Sequence, residues 1–198
     1  MTVFTNFADI PLLHYGVIAV DPPWHYQTYS DKAMRSASAH YDTMSIDDIC
    51  ALPVGHIASR DAVLMLWGTS PHLPAALEVI KAWGFTYKSK AFCWAKTNPR
   101  TLRGRADVSS TWHMGMGYGT RSNTEDCWLA TTGEPERLNA GVRELIVAER
   151  REHSRKPDEF FWRAQLIYPG PRIELFGREE RHGWDVFGDQ VGIFDESA

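Results

Sequence analysis

Asp21-Pro22-Pro23-Trp24 directly follows the apolar run Gly16 to Val20. These four residue types suit one kind of chemistry. An amino group attached to an aromatic ring is a poor nucleophile, because its lone pair is delocalised into the ring. A carboxylate and a carbonyl beside a rigid proline can together accept hydrogen bonds from both amino hydrogens. That draws the nitrogen toward a tetrahedral shape and frees the lone pair. Consecutive prolines fix φ and limit the reorganisation the site must undergo. The adjacent tryptophan suits stacking on a base pulled out of its helix. In-line attack on a sulfonium methyl then needs mainly positioning. The same four residues also suit a plain turn after a strand, so the motif alone decides nothing.

Two further segments carry groups of the right type. His153-Ser154-Arg155-Lys156-Pro157-Asp158-Glu159 leads into an expected helix. Lys156 there suits the carboxylate of a cofactor's methionine part, although an ordinary capped helix start would read the same way. Arg172-Ile173-Glu174-Leu175-Phe176-Gly177-Arg178 is followed by Gly183-Trp184-Asp185-Val186-Phe187-Gly188-Asp189-Gln190. This offers a strand end, a glycine permitting close backbone approach, and polar groups able to bind ribose hydroxyls. Phe176 and Trp184 equally suit core packing.

The elements that must position these groups follow from periodicity. Gly16 to Val20 is a short β-branched run and reads as a buried strand, ended by the prolines. Ser45 resembles an N-cap, with Asp47 and Asp48 in the first turn. Ala62 to Trp67 reads as a second buried strand. A helix is expected from about His72 to Trp83, closed by Gly84. Phe85 to Ala95 and Glu125 to Thr131 read as strands, separated by a Gly-rich basic loop from Lys96 to Arg121. A helix from about Pro157 to Leu166 has proline at its start and acids in its first turn. Arg172 to Phe176 and Trp184 to Phe187 complete the set. Strands alternating with helices predict an α/β fold, one domain over residues 1–198, with a mostly parallel central sheet and helices on both faces. Ligands bind beyond the carboxyl ends of strands in such sheets. Asp21 to Trp24 and Gly177-Arg178 would lie there. Nothing in the periodicity orders the strands.

Composition narrows the function classes. The chain has 198 residues, 43% hydrophobic and 23% charged, with a net charge of −4. No apolar run approaches the roughly 20 residues of a membrane span, and Met1 to Ile10 does not read as a signal peptide. The three cysteines are widely spaced among apolar neighbours, which favours reduced thiols and a cytoplasmic setting. No Cys-x-x-Cys appears, and the histidines lack metal-ligand spacing, so no metal site is expected. There is no P-loop and no zinc-deaminase signature. Gly115-x-Gly117-x-Gly119 has neither the spacing nor the setting of a dinucleotide fingerprint. A protein that grips long duplexes by charge alone is usually basic. A local patch is needed here, and Lys96, Arg100, Arg103 and Arg105, interleaved with Trp112, His113 and Tyr118, supply one.

Taken together and in order, the three segments resemble the adenine amino-methyltransferase family typified by the seventy-kilodalton subunit of the mRNA adenosine methyltransferase. The resemblance runs from about Gly16 to Gln190. Tyr41-Asp42-Thr43-Met44-Ser45, Leu66-Trp67, Trp83-Gly84-Phe85 and Trp94-Ala95-Lys96-Thr97-Asn98 also look like family phrases. It implies a Rossmann-like fold dependent on S-adenosylmethionine, permuted so that the catalytic segment precedes the cofactor segment. It implies that Asp21, Pro22, Pro23 and Trp24 bind and activate the target amine. Lys156, Glu174, Leu175, Phe176, Arg178, Asp189 and Gln190 would surround the cofactor, with Tyr41 near the substrate. Asp189 departs from the asparagine frequent in relatives, but a carboxylate still accepts from ribose hydroxyls. Glu179-Glu180-Arg181 lacks the His-Asn pair of the eukaryotic type, so no ligand role is expected there. The backbone holding the cofactor's adenine is expected within Thr2 to Ile10.

The acceptor implied is adenine N6 in nucleic acid, with DNA favoured over RNA for so compact a chain. A non-catalytic nucleic-acid-binding subunit and a cytosine amino-methyltransferase are the competing readings. A homodimer or a partner subunit would help a small acidic chain hold its substrate.

Overall fold

The computed structural model describes residues 1–25, 43–99, 111–152 and 155–193. Among the described residues eight strands form one sheet: β1 Val3–Phe4, β2 Tyr15–Val20, β3 Ala58–Gly68, β4 Thr86–Thr97, β5 Thr124–Thr132, β6 Leu145–Glu149, β7 Arg172–Leu175 and β8 Asp185–Phe187. Their order is β1-β8-β7-β2-β3-β5-β4-β6. Among the described residues β5 alone is antiparallel to its neighbours, and every other pair is parallel. The expectation of a mostly parallel sheet is met. The edge strands β1 and β6 were not legible in the sequence: β1 has two residues, and the exposed Leu145 and Val147 give β6 little apolar signature.

Side-chain alternation divides the core into two layers. Ile18, Val20, Leu64 and Leu66 face one side, where they meet α1 (Ile46–Ala51), α2 (Val54–Ile57) and α3 (Leu73–Ala82) through Ile49, Val54, Ile57, Ala76, Val79 and Ile80. Val17, Ala19, Val63, Met65 and Trp67 face the other, against Phe160, Phe161 and Ala164 of α4 (Asp158–Ile167). Helices therefore cover both faces, and β2 and the Ala62–Gly68 part of β3 are apolar because neither of their faces meets water. Each fully buried aliphatic or aromatic side chain contributes about 1.5–3 kcal/mol relative to exposure.

Local chemistry sets the helix ends. The Ser45 hydroxyl accepts from the Asp48 N–H and starts α1. At the end of α3, Gly84 takes φ 82°, a backbone region that costs glycine little. Its N–H donates to the Lys81 carbonyl, and that of Phe85 donates to Ile80, both at 3.0 Å. This pairing satisfies carbonyls that α3 leaves open. Pro157 caps α4 in an extended conformation, with its carbonyl accepting from the Phe160 N–H.

The sheet reverses its winding beside β2. From β2 the chain crosses to β3 on one side, while β7 lies on the other and continues outward to β8. Open α/β sheets form a ligand crevice at such a switch point, beyond the carboxyl ends of the strands. Asp21 follows β2 and Phe176 follows β7, so both stand at the mouth of this crevice.

Gly177 and Gly188 let the backbones past β7 and β8 touch. The Gly177 N–H donates to the Phe187 carbonyl at 3.0 Å, and a Cβ on Gly188 would fall 2.1 Å from the Gly177 oxygen. Gly188→Ala should therefore lower stability by about 1–3 kcal/mol, read from urea unfolding midpoints. Gly119→Ala, where a Cβ meets nothing within 4 Å, should change it by less than about 0.5 kcal/mol.

Candidate active site

Register brings three acids to one end of one face. Val17, Ala19 and Asp21 alternate toward the α4 side, as do Cys127 and Glu125 on β5 and Glu174 on β7, which pairs with Ala19. Because β5 runs backwards, its beginning meets the ends of β3 and β4, with Glu125 opposite Trp94. Lys156 enters from the residue before Pro157, where proline restricts the backbone to extended conformations.

Lys156 Nζ lies 2.6 Å from Asp21 Oδ2 and 2.9 Å from Glu125 Oε1, and its side chain is only 3% exposed. The other Glu125 oxygen takes Lys96 Nζ at 2.6 Å. Two carboxylates and two ammoniums thus alternate in a chain from Asp21 to β4. Trp67 and Trp94 flank it, with Lys156 Nζ 5.5 Å from the first ring centroid and Lys96 Nζ 4.7 Å from the second.

Protonation follows from these neighbours. Burial disfavours the charge on Lys156, but Asp21 and Glu125 outweigh it and hold its affinity for the proton above that of an ordinary lysine. Burial would raise the Glu125 carboxyl, yet Lys156 and then Lys96 hold it down at about 2. Glu174 moves the opposite way: burial pushes its carboxyl up to about 7 against the pull of Arg181.

The segment after β7 is strained and clamped. Phe176 takes φ 60°, unusual for a bulky residue and a feature that concentrates at ligand sites. Its ring packs 6.2 Å from that of Phe187. Arg181 binds Asp158 at 2.5 Å and Glu179 at 2.6 Å, and lies 4.0 Å above the Phe161 ring. Arg155 binds Glu179 at 2.5 Å. These pairs fasten the loop after β7 to α4 and face Glu174, whose Oε2 is 3.6 Å from Arg181 Nε. β1 lies alongside, and its Phe4 carbonyl accepts from the Gly188 N–H at 3.3 Å. The segment Thr2 to Ile10 therefore borders the same crevice. Half-exposed Arg178 and Gln190 and exposed Asp189 lie on its rim.

Several expectations need correction. Trp24 does not present a stacking face: it is 3% exposed, its ring is stacked on His72, and its Nε1 donates to the Trp67 carbonyl at 3.0 Å. An indole with a buried N–H needs such a partner, and the core supplies it. Leu175 is 1% exposed and offers the crevice only its backbone. Lys156, expected to pair with the cofactor's carboxylate, meets Asp21 and Glu125, which neutralise a buried ammonium within the fold. Lys96 belongs to β4, pairs with Glu125 and is not a loop cation. Pro22 and Pro23 form the turn, their carbonyls accepting from Trp24 and Met44 N–H groups at 2.7 and 2.9 Å. Tyr41, Arg100, Arg103 and Arg105 lie outside the described residues. Glu125 was missed, although a glutamate opening an apolar strand is itself a signal.

Among the described residues no helix is long and apolar enough to cross a membrane, and no three His, Cys, Asp or Glu residues gather as a metal site.

Comparison with known proteins places this arrangement in a family. A family model described as MT-A70 matches residues 15–190. The chain belongs to the MT-A70 family. The type II methyltransferase M.MunI of Mycoplasma sp is 30% identical over 206 residues, covering 93% of this chain and 81% of that protein. The N(6)-adenosine-methyltransferase MT-A70-like protein of Drosophila melanogaster is 31% identical over 191 residues, 94% of this chain but 28% of its own. The catalytic subunit METTL3 of Homo sapiens is 28% identical over 191 residues, again 94% of this chain, and 30% of its own. The chain therefore spans under a third of these two animal relatives. MT-A70 methyltransferases take their methyl group from S-adenosylmethionine. The residues at the crevice fit such a group. Arg178, Asp189 and Gln190 at its rim offer the donors and acceptors that the carboxylate and ribose hydroxyls of such a molecule need.

The two shifted carboxyls give opposite pH dependence. Glu125 falls from 4.5 to about 2 on folding, so the stability it contributes is complete above pH 4.5 and is lost as pH drops toward 2. Glu174 rises from 4.5 to about 7, so its contribution is complete below pH 4.5 and is lost as pH rises through 7. Each window carries on the order of 3 kcal/mol. Glu125→Gln should flatten the acid limb of stability against pH, and Glu174→Gln the limb between pH 4.5 and 7. Urea midpoints measured across both ranges check this. Glu125→Gln should also cost roughly 3–5 kcal/mol near neutrality, because it leaves buried ammoniums short of charge.

Proposed function

We propose that this chain transfers the methyl group of S-adenosylmethionine to the N6 amine of adenine in DNA, with Asp21 as the acceptor that activates the amine. The observation that carries this reading is the Asp21 carboxylate held 2.6 Å from buried Lys156 at the switch point of the sheet. Lys156 is a positioning residue: it keeps Asp21 aimed, and Glu125, itself held by Lys96, holds Lys156 in turn. The Asp21 carboxylate takes one amino hydrogen and a proline carbonyl of the Asp-Pro-Pro turn takes the other. The nitrogen lone pair is then directed at the methyl carbon. Acceptors fixed before the reaction stabilise charge without reorganising.

S-adenosylmethionine supplies an electrophilic methyl on sulfur. Glu174, the backbone of Leu175, Phe176, Arg178, Asp189 and Gln190 would hold it, with Thr2 to Ile10 beside its adenine. Each of these roles is supported by place in the crevice. The amine gives up its proton to water once alkylated, since the product amine remains conjugated with the ring.

DNA is supported by M.MunI, the type II methyltransferase whose length this chain mostly spans. RNA is the second reading, supported by identity to the N(6)-adenosine-methyltransferases. A non-catalytic role is disfavoured by the Asp21–Lys156 pair. The single sheet from Val3 to Phe187 supports one methyltransferase domain. The thiols of Cys50, Cys93 and Cys127 support a reducing, cytoplasmic setting. The negative net charge supports a second copy or a partner subunit that adds grip on the acceptor.

Asp21→Ala should lower label transfer from tritiated S-adenosylmethionine by about 10²-fold or more and leave cofactor affinity, read by calorimetry, within a few-fold. Matched oligonucleotides should accept label as DNA; label on RNA alone would reassign the acceptor.

A further inference from the structure

The loop between β4 and β5 folds back on the sheet before it reaches β5. The Asn98 N–H donates to the Thr111 carbonyl at 2.9 Å, and the His113 N–H donates to the Lys96 carbonyl at 2.9 Å. Thr97 and Trp112 pair as an antiparallel bridge. Beyond this root the chain turns on itself, with the Gly115 N–H bound to the Ser122 carbonyl at 2.7 Å. A Cβ on Gly117 would fall 2.0 Å from the Thr120 oxygen, so only glycine lets the two arms lie this close. The result is a thin finger rooted one residue from Lys96, and so joined to the Glu125–Lys156–Asp21 chain.

The finger carries an unusual surface. Met114, Met116 and Tyr118 alternate with the glycines and are 73%, 68% and 98% exposed. Three large apolar side chains in a row at such exposure are costly unless something covers them. Arg121 lies on the finger and Arg150 beside its root, both exposed, with half-buried Glu149 beside Arg150 in register with Thr97. Arg150 and Lys96 are near enough to His113 to help burial depress its affinity for a proton. An apolar tip within a basic margin matches a polyanion with stacked apolar faces inside it.

We propose that the Met114–Tyr118 finger is a wedge that enters duplex DNA and fills the gap left by the adenine extruded toward Asp21. This rests on the DNA methylation reading. Reaching a paired adenine requires unstacking it, and apolar side chains placed between base steps are one known means of holding a duplex open. Methionine suits the task because its flexible, polarizable side chain adapts to any flanking base. The tyrosine adds a ring on which a neighbouring base can stack. A single strand needs no wedge, which makes the role separable from the chemistry.

The test uses the full chain with two surface substitutions, Met114→Ser and Met116→Ser. The acceptor is unmethylated bacterial genomic DNA, either native or heat-denatured and quickly cooled. The variant should lose about tenfold or more of its transfer rate on native DNA. On denatured DNA it should stay within about twofold of the parent, which also shows that it is folded. Equal losses on both forms, or no loss on either, would overturn the wedge while leaving the methylation reading in place. A parent protein that labels neither form would overturn the reading itself, and the wedge with it. Sedimentation of both proteins covers the other occupant. Self-association abolished by the variant, with the native-to-denatured ratio unchanged, would assign the finger to a protein contact instead.

Discussion

Removing an ammonium from water costs several kcal/mol, which the fold must return through well-placed opposite charge. Lys156 is 3% exposed and meets that requirement with two carboxylates on strands separated by β3. Much of the architecture answers to this contact. The end of β2 and the beginning of β5 must reach the same height, α4 must begin where Lys156 reaches between them, and Pro157 must hold its predecessor extended. If Asp21 is missing, Glu125 cannot balance Lys156 alone, since it also serves Lys96. The pairing costs stability relative to an apolar core, but it fixes the Asp21 carboxylate in one orientation before any substrate arrives.

The reversed strand makes this possible. Had β5 run with its neighbours, its carboxyl end would lie near Asp21 and Glu125 would be at the far edge of the sheet. Running backwards, β5 brings its beginning to the crevice and joins the end of β4 to it through Lys96. The proposed acceptor and the root of the β4–β5 finger thus share one line of charge. On the other side of β2, Phe176 and the touching glycines bend the chain around the place expected for the cofactor. Substrate and cofactor would approach from opposite sides of β2, with Asp21 between them.

The sequence showed β2, β3, β5 and both longer helices because each has a full apolar face or a clear end signal, such as Gly84 or Pro157. It did not show β1 or β6, which are short or half-exposed and owe their existence to ladder partners far along the chain. The Asp21, Lys156 and Glu174 segments were legible as candidates because polar groups next to strand ends stand out. Their mutual arrangement was not. Lys156 and Asp21 are 135 positions apart, and only the strand order, which periodicity does not encode, brings them together. The same gap explains Trp24 and Lys96. A tryptophan beside a catalytic motif and a lysine beside a basic loop suit ligand contacts, until register shows one packed beneath Gly68 and the other bound to Glu125.

The most direct test is a crystal structure of the protein with a bisubstrate analogue in which adenine N6 is tethered to the amino-acid part of the cofactor. The account predicts N6 within hydrogen-bonding distance of the Asp21 carboxylate, Lys156 still bridging Asp21 and Glu125, and the amino-acid part lying toward Phe176 and Glu174. Adenine bound away from Asp21, or Lys156 drawn off Asp21 to the ligand carboxylate, would contradict it.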